Sequence, residues 1–142
     1  MKISIGSDHG GFLYKEEVIK MLKEEGHEVI DCGTYSLDSC DYPDFAYAAA
    51  KLVSDHECEK GIVICTSGEG VSITANKLKG VRCGLIYNED TSHLIRQHND
   101  CNMCAFGAKF FALEDVKRWV NNFLTTEFEG GRHINRVNKI ER

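Results

Sequence analysis

The sequence predicts one α/β domain, with a five-stranded parallel sheet, helices on both of its faces and a short helical arm at the C-terminal end. Two observations carry that prediction. Short runs rich in β-branched residues alternate with amphipathic runs along the whole chain. One of the short runs, Gly61-Ile62-Val63-Ile64-Cys65, is apolar without alternation, as expected of a strand buried on both faces of a parallel sheet. A length of 142 residues suits a single domain, and no linker, internal repeat or low-complexity segment divides it.

The first strand is Lys2-Ile3-Ser4-Ile5, followed by a helix over residues 11–25. In that helix Tyr14, Val18, Met21 and Leu22 fall at i, i+4, i+7 and i+8, Lys and Glu fill the other face, and Gly26 supplies the stop. Residues 27–32 read as a short second strand. A second helix opens at Asp41-Tyr42-Pro43-Asp44, with Asp44 placed to cap it and Phe45, Ala49 and Leu52 on its apolar face. The apolar run 61–65 is the expected sheet centre. After the glycine-rich turn Thr66-Ser67-Gly68-Glu69-Gly70 come a helix reaching Lys79, a strand over 81–87, a helix over 91–97, a strand over 101–106 and a helix over 113–124. Repeated β-α units of this size imply right-handed crossovers. Gly130-Gly131 then breaks the chain, which restarts as a short charged helix or arm.

Composition excludes several classes. Hydrophobic residues at 42% and charged residues at 27% exclude a disordered, collagenous or coiled-coil chain. Seventeen basic against 22 acidic residues give a net charge of −5 with no basic run, so nucleic acid is not an expected partner. No apolar stretch approaches the roughly 18 residues of a membrane span, and the start turns polar at Ser7-Asp8-His9 before a signal-peptide core could form. The expectation is a cytoplasmic protein without a membrane partner. Seven cysteines, an odd number, read as reduced thiols. The one Cys-x-x-Cys, Cys101 to Cys104, has no second pair at zinc spacing, so no metal is expected.

Open α/β sheets bind ligands at the carboxyl ends of their strands. After the first strand stand Ser7, Asp8, His9, Gly10 and Gly11; after the third, Cys65 and the turn 66–70; His98, Asn99 and Asp100 stand just before the fifth. Neither glycine cluster has the G-x-G-x-x-G spacing, and no Walker lysine is present, which disfavours nicotinamide and nucleoside triphosphate chemistry. The Ser67-Gly68-Glu69-Gly70 turn, between a buried strand and a helix start, is either an ordinary βα turn or a cradle of N–H groups for phosphate or an oxyanion. Cys65 favours the cradle, because a thiol beside a helix N-terminus sits where its anion is stabilised. Cys32, Cys58 and Cys83 read instead as small core hydrophobes. Asp8 and His9 taken alone are explained by an Asx-type turn and a surface imidazole, and His98-Asn99 by a polar helix end. Arg132 and Arg136, at i and i+4, present two guanidiniums on one helix face, either solvated or poised as a clamp for one anion.

Six segments, in order and nearly end to end, carry a resemblance: Gly6-Ser7-Asp8-His9-Gly10-Gly11, Asp41-Tyr42-Pro43-Asp44, Gly61-Ile62-Val63-Ile64-Cys65, Ala75-Asn76-Lys77, Arg96-Gln97-His98-Asn99-Asp100 and Glu129-Gly130-Gly131-Arg132-His133. Together they resemble the ribose-5-phosphate isomerase B family of sugar-phosphate isomerases. The resemblance implies a Rossmann-like three-layer α/β/α sheet, no cofactor, and a homodimer, or a tetramer built from such dimers, with shared active sites. It makes Cys65 the base moving a proton between C2 and C1 of an open-chain phosphorylated sugar. Ser67 and the amides through Gly70, with Thr66, Gly68 and Glu69 in the same loop, would hold the enediolate oxygens, which preorganised N–H donors stabilise well. His98, helped by Asp8, is implied to open the furanose ring, a task suited to a group that titrates near neutral pH. Tyr42 and Asn99 would hold hydroxyls, and His9, Arg132 and Arg136 the phosphate. In a shared site, the Cys65 loop of one subunit faces His98 and Asn99 of its partner.

Three positions depart from the family pattern. Thr66 puts a side chain on the first loop residue, where glycine is usual. The position of an alternative glutamate base is Ser72, which leaves Cys65, with Glu69 as a reserve. Lys109 stands where arginine often contacts phosphate, keeping the charge and losing the bidentate fork. The alternatives are a galactose or allose 6-phosphate isomerase and a non-catalytic flavodoxin-like module that binds a phosphorylated metabolite. A thiol redox protein would need a low-pKa cysteine at a helix start, whereas Cys101 and Cys104 both read as strand residues.

Overall fold

The computed structural model describes all 142 residues. The elements run β1 (Lys2–Ser7), α1 (Phe12–Glu24), β2 (Glu28–Asp31), α2 (Tyr42–Ser54), β3 (Lys60–Cys65), α3 (Glu69–Ala75), β4 (Cys83–Leu85), α4 (Glu89–Gln97), β5 (Met103–Gly107), α5 (Leu113–Thr125) and α6 (Arg132–Ile140). The five strands lie in the order β2-β1-β3-β5-β4 with every pair parallel, so the apolar run is the central strand as expected. Alternate strand side chains feed two cores. Ile3, Ile5, Ile62, Ile64 and Phe106 pack under α1, α4 and α5, and Val63, Cys65, Met103 and Ala105 under α2 and α3. Each such branched or aromatic side chain, when fully buried, contributes about 1.5–3 kcal/mol. The result is the three-layer α/β/α arrangement that the sequence implied. No helix is long and apolar enough to cross a membrane.

Several boundaries differ from the periodicity reading, each for a local reason. In α2 the N-cap position falls on Asp41 and Asp44 lies in the first turn, because Pro43 fits that turn, where its missing N–H costs nothing. The helix expected to reach Lys79 ends at Ala75. There the Asn76 side chain turns to the sheet edge, accepting from Cys83 N at 2.7 Å and donating to Cys83 O at 2.9 Å. An amide side chain thus completes the ladder along β4, an edge strand of three residues where seven were expected. α4 starts two residues earlier than read, at Glu89, because Asn88 and Thr91 form a reciprocal cap. β5 starts at Met103, not residue 101: Asp100 adopts the left-handed conformation (φ 47°) and Cys101 N–H donates to Ile95 O, so Cys101 lies in the turn after α4 and, of the Cys101–Cys104 pair, Cys104 alone is a strand residue.

The buried stripe of α1 is Lys15, Val18, Ile19 and Leu22, with Tyr14 and Met21 partly buried. The Lys15 ammonium is fully buried and pairs with Asp31 Oδ1 at 2.8 Å and Glu16 Oε1 at 2.9 Å. Asp31 Oδ1 also accepts from Gly33 N, and Ser7 N–H donates to Gly33 O, so this buried pair fastens the 31–34 loop beside the end of β1.

Candidate active site

The carboxyl ends of β1 and β3 open onto a cleft of about 400 Å³ whose lining includes Asp8, Tyr42, Cys65, Thr66, Ser67 and Glu69. Cys65, 5% exposed, ends the central strand. Its sulfur accepts from the Gly68 amide at 3.1 Å, which fixes it at the wall of the cleft. The turn is held from both sides: Lys109 N–H donates to Thr66 O at 3.1 Å, and Ala108 N–H to Cys65 O at 2.9 Å. Gly68 has φ 83°, and a Cβ there would stand 2.7 Å from Phe106 C and 2.9 Å from Gly107 N. Only glycine adopts that conformation and that approach without strain. At Gly70 a Cβ would stand 2.5 Å from the Tyr42 ring, so its absence lets the tyrosine lie over the loop. The Glu69 amide donates to Ser67 Oγ at 3.3 Å, while the amides of Ser67 and Gly70 donate to no protein acceptor. Two free amides beside a fixed sulfur can receive negative charge developing on a ligand oxygen.

Asp8, 6% exposed, accepts from the Gly10 and Gly11 amides at 2.9 and 3.2 Å through Oδ1, which is the Asx-type turn. Its other oxygen is free towards the cleft. Cys40 N–H donates to His9 Nδ1 at 3.2 Å, so the neutral ring carries its proton on Nε2. Lys109 is exposed on the same rim.

The remaining candidates stand elsewhere. α4 leads into the amino end of β5, so His98 and Asn99 lie at the opposite edge of the sheet from Cys65 and Asp8. Arg82 fastens this corner, donating to Asn99 O at 3.0 Å and Asp100 O at 2.8 Å, and Arg96 pairs with Asp100 at 2.8 Å. α6 crosses the same edge. Arg132 and Arg136 on it are exposed and make no ion pair. The chain therefore brings together Cys65, Asp8, His9, Tyr42, Lys109 and the 66–70 loop at one edge, and His98, Asn99, Arg132 and Arg136 at the other. Asp8 does not meet His98 of its own chain.

Two residues without an assigned role in the sequence stand at the second edge. His133 stacks on His98, with ring centroids 4.4 Å apart and planes 15° from parallel, and Glu129 faces both rings. These three have donor atoms close enough to suggest a cation site. The stacking argues against it: a ligating imidazole keeps the metal near its ring plane at about 2.0 Å, and two parallel planes cannot share such a point. The lining of a larger hollow of about 410 Å³, between the α3–β4 turn and the end of α6, includes Lys77, Lys79, Arg82 and Arg142, with no thiol or imidazole to act on a ligand.

A family model described as ribose/galactose isomerase matches residues 3–140. The chain is 45% identical over 139 residues to ribose-5-phosphate isomerase B of Escherichia coli, covering 98% of this chain and 93% of that one. Among solved structures it is similar to ribose-5-phosphate isomerase B of Clostridium thermocellum, with a TM-score of 0.98 and 47% identity over 99% of this chain and 95% of that one. It is also similar to the Mycoplasma genitalium enzyme of that name with bound ribulose-5-phosphate, with a TM-score of 0.96 and 39% identity over 99% of this chain and 94% of that one.

Proposed function

The chain belongs to the ribose/galactose isomerase family and is a sugar-phosphate isomerase interconverting ribose 5-phosphate and ribulose 5-phosphate, and from that premise we propose that Cys65 is its proton-transfer base. The observation that carries the proposal is the fixed Cys65 sulfur beside the two unpaired amides of Ser67 and Gly70. The Cys65 thiolate takes the proton from C2 of the open-chain aldose. The C2–H electron pair forms the enediolate, whose oxygen charge the amides and the Ser67 hydroxyl receive. The same sulfur returns the proton to C1 as the proton of the C2 hydroxyl passes to O1, and the ketose results.

The cleft of one chain has His9 tied to Cys40 through Nδ1 and has no arginine in its lining. His98, Asn99, Arg132 and Arg136, at the opposite edge, therefore serve the cleft of a second copy in a homodimer, where His98 opens the furanose and Asn99 and Tyr42 hold hydroxyls. His9 and Lys109 from one chain and the two arginines from the other hold the phosphate. The unpaired state of both arginines supports this reading, since guanidiniums free of ion pairs are open to a bidentate phosphate. Seven unpaired thiols agree with a reducing, cytoplasmic setting.

The test is Cys65→Ala, assayed for ribulose 5-phosphate formed from ribose 5-phosphate. Turnover should fall by at least about 10²-fold with substrate binding retained, because the sulfur acts in the transition state. Near-normal turnover would transfer the base role to Glu69.

A further inference from the structure

The end of α4 holds more acid–base chemistry than one imidazole needs to open a sugar ring. His133, 8% exposed on α6, lies against the His98 ring. Glu129 places Oε1 3.5 Å from His133 Nε2 and 3.8 Å from His98 Nε2, so one carboxylate faces the same nitrogen of both rings. Glu129 is itself tied to this corner, its N–H donating to the carbonyl of Gln97, the residue before His98, at 3.1 Å. The two acids that could compete for His98 from its own turn and from the end of α6 are engaged: Asp100 by Arg96 and Arg82, and Glu141 by Arg82. Glu129 is thus the carboxylate available to His98.

Resting on the reading that His98 opens the ring, we propose that Glu129 and His133 are positioning residues for that step. Glu129 holds the His98 proton on Nε2 and leaves the Nδ1 lone pair free, and the His133 ring fixes the plane in which that lone pair points. His98 Nδ1 takes the proton from the anomeric O1 hydroxyl, and the O1–H electron pair becomes the second bond of the C1 carbonyl. The C1–O4 bond breaks with its pair on O4, and Nδ1 returns the proton there. No proton is gained or lost overall, and the imidazolium between the two transfers faces the Glu129 carboxylate. This is the division of labour by which a carboxylate orients a catalytic imidazole and stabilises its cation.

A second measurement separates ring opening from the enediolate step. Ribulose 5-phosphate cannot close to a furanose because O5 carries the phosphate, so exchange of its C1 hydrogen with heavy water, followed by NMR, needs Cys65 and no ring chemistry. In Glu129→Gln, kcat from ribose 5-phosphate should fall about tenfold, short of the roughly 10²–10⁴-fold that loss of the acid–base group itself carries, with KM and hydrogen exchange unchanged. Glu129 is half exposed, so the variant should fold, and a thermal melt checks this. His133→Phe keeps a stacked ring and loses Nε2; it should show the same selective loss, to a smaller degree. His98→Ala is the reference and should lose ribose 5-phosphate turnover while keeping exchange. Wild-type turnover in both Glu129→Gln and His133→Phe beside an impaired His98→Ala overturns the positioning role and leaves the His98 reading standing. Equal losses in both assays mean a structural role and overturn it as well. An active His98→Ala overturns the His98 reading itself, and the proposal with it.

Discussion

Burial sets the ionisation of five thiols. Desolvation pushes Cys32 from the ordinary 9.0 up to about 11, reinforced by Cys58 and Asp31 nearby, and pushes Cys101 likewise to about 11. Cys58, Cys83 and Cys104 move the same way for the same first reason. A thiol whose folded value is raised stays protonated in the native state while the unfolded chain ionises near 9.0, so the native state binds more protons between the two values. Its contribution to stability is whole below that lower value and is lost as pH climbs to about 11. Thermal melts should therefore hold steady near neutrality and decline above pH 9.0, and the decline should be shallower in Cys32→Ala. An identical slope in wild type and variant would place the alkaline weakness in other groups. At the same scale, Lys15 shows what the sequence offered and what was read from it. It falls at i, i+3, i+4 and i+7 with Val18, Ile19 and Leu22, so the spacing already put it inside. Its charge assigned it to the solvent face, because the partner that makes burial tolerable, Asp31, comes from the far end of another strand.

At the scale of elements, the turn between β3 and α3 is the part of the site on which position matters most. Gly68→Ala would place a methyl against the backbone of Phe106 and Gly107 at a φ of 83°. The strain should lower stability by about 1–3 kcal/mol. It should lower kcat by about 10²-fold, since displaced amides no longer meet the developing oxyanion. Turnover at the wild-type rate, with a normal melt, would show that these amides do not act in the reaction. The long helices and the central strand were legible because their burial pattern repeats along the chain: α1, α2 and α5 run thirteen residues each. α3 and β4 were overestimated because one side chain, Asn76, ends the helix and edges the strand through bonds that no periodicity expresses. The Cys65 cleft was legible for a similar reason, as strand ends are local and topology puts them together. Glu129 and His133 were not, because they meet His98 only when α6 folds back across the end of α4.

The whole molecule divides its chemistry between two opposite edges of one sheet, and that division predicts how two damaged copies behave together. Cys65 stands at the carboxyl edge, and His98, Arg132 and Arg136 at the amino edge. If a two-fold dimer joins the carboxyl edge of each chain to the amino edge of the other, each site draws on both copies. Cys65→Ala and His98→Ala are then each inactive alone. In a mixed dimer one site carries both lesions and the other carries neither. Random pairing of equal amounts makes half the dimers mixed with half their sites intact, so exchange after mild denaturation should restore activity to about a quarter of wild type. His98→Ala mixed with Arg136→Ala supplies the control, because both lesions lie on one edge and every site of a mixed dimer keeps one of them. That pair should gain nothing. Exchange confirmed by mass spectrometry with no recovery for Cys65→Ala and His98→Ala would mean that each chain completes its own site, and the two edges would then have to act separately.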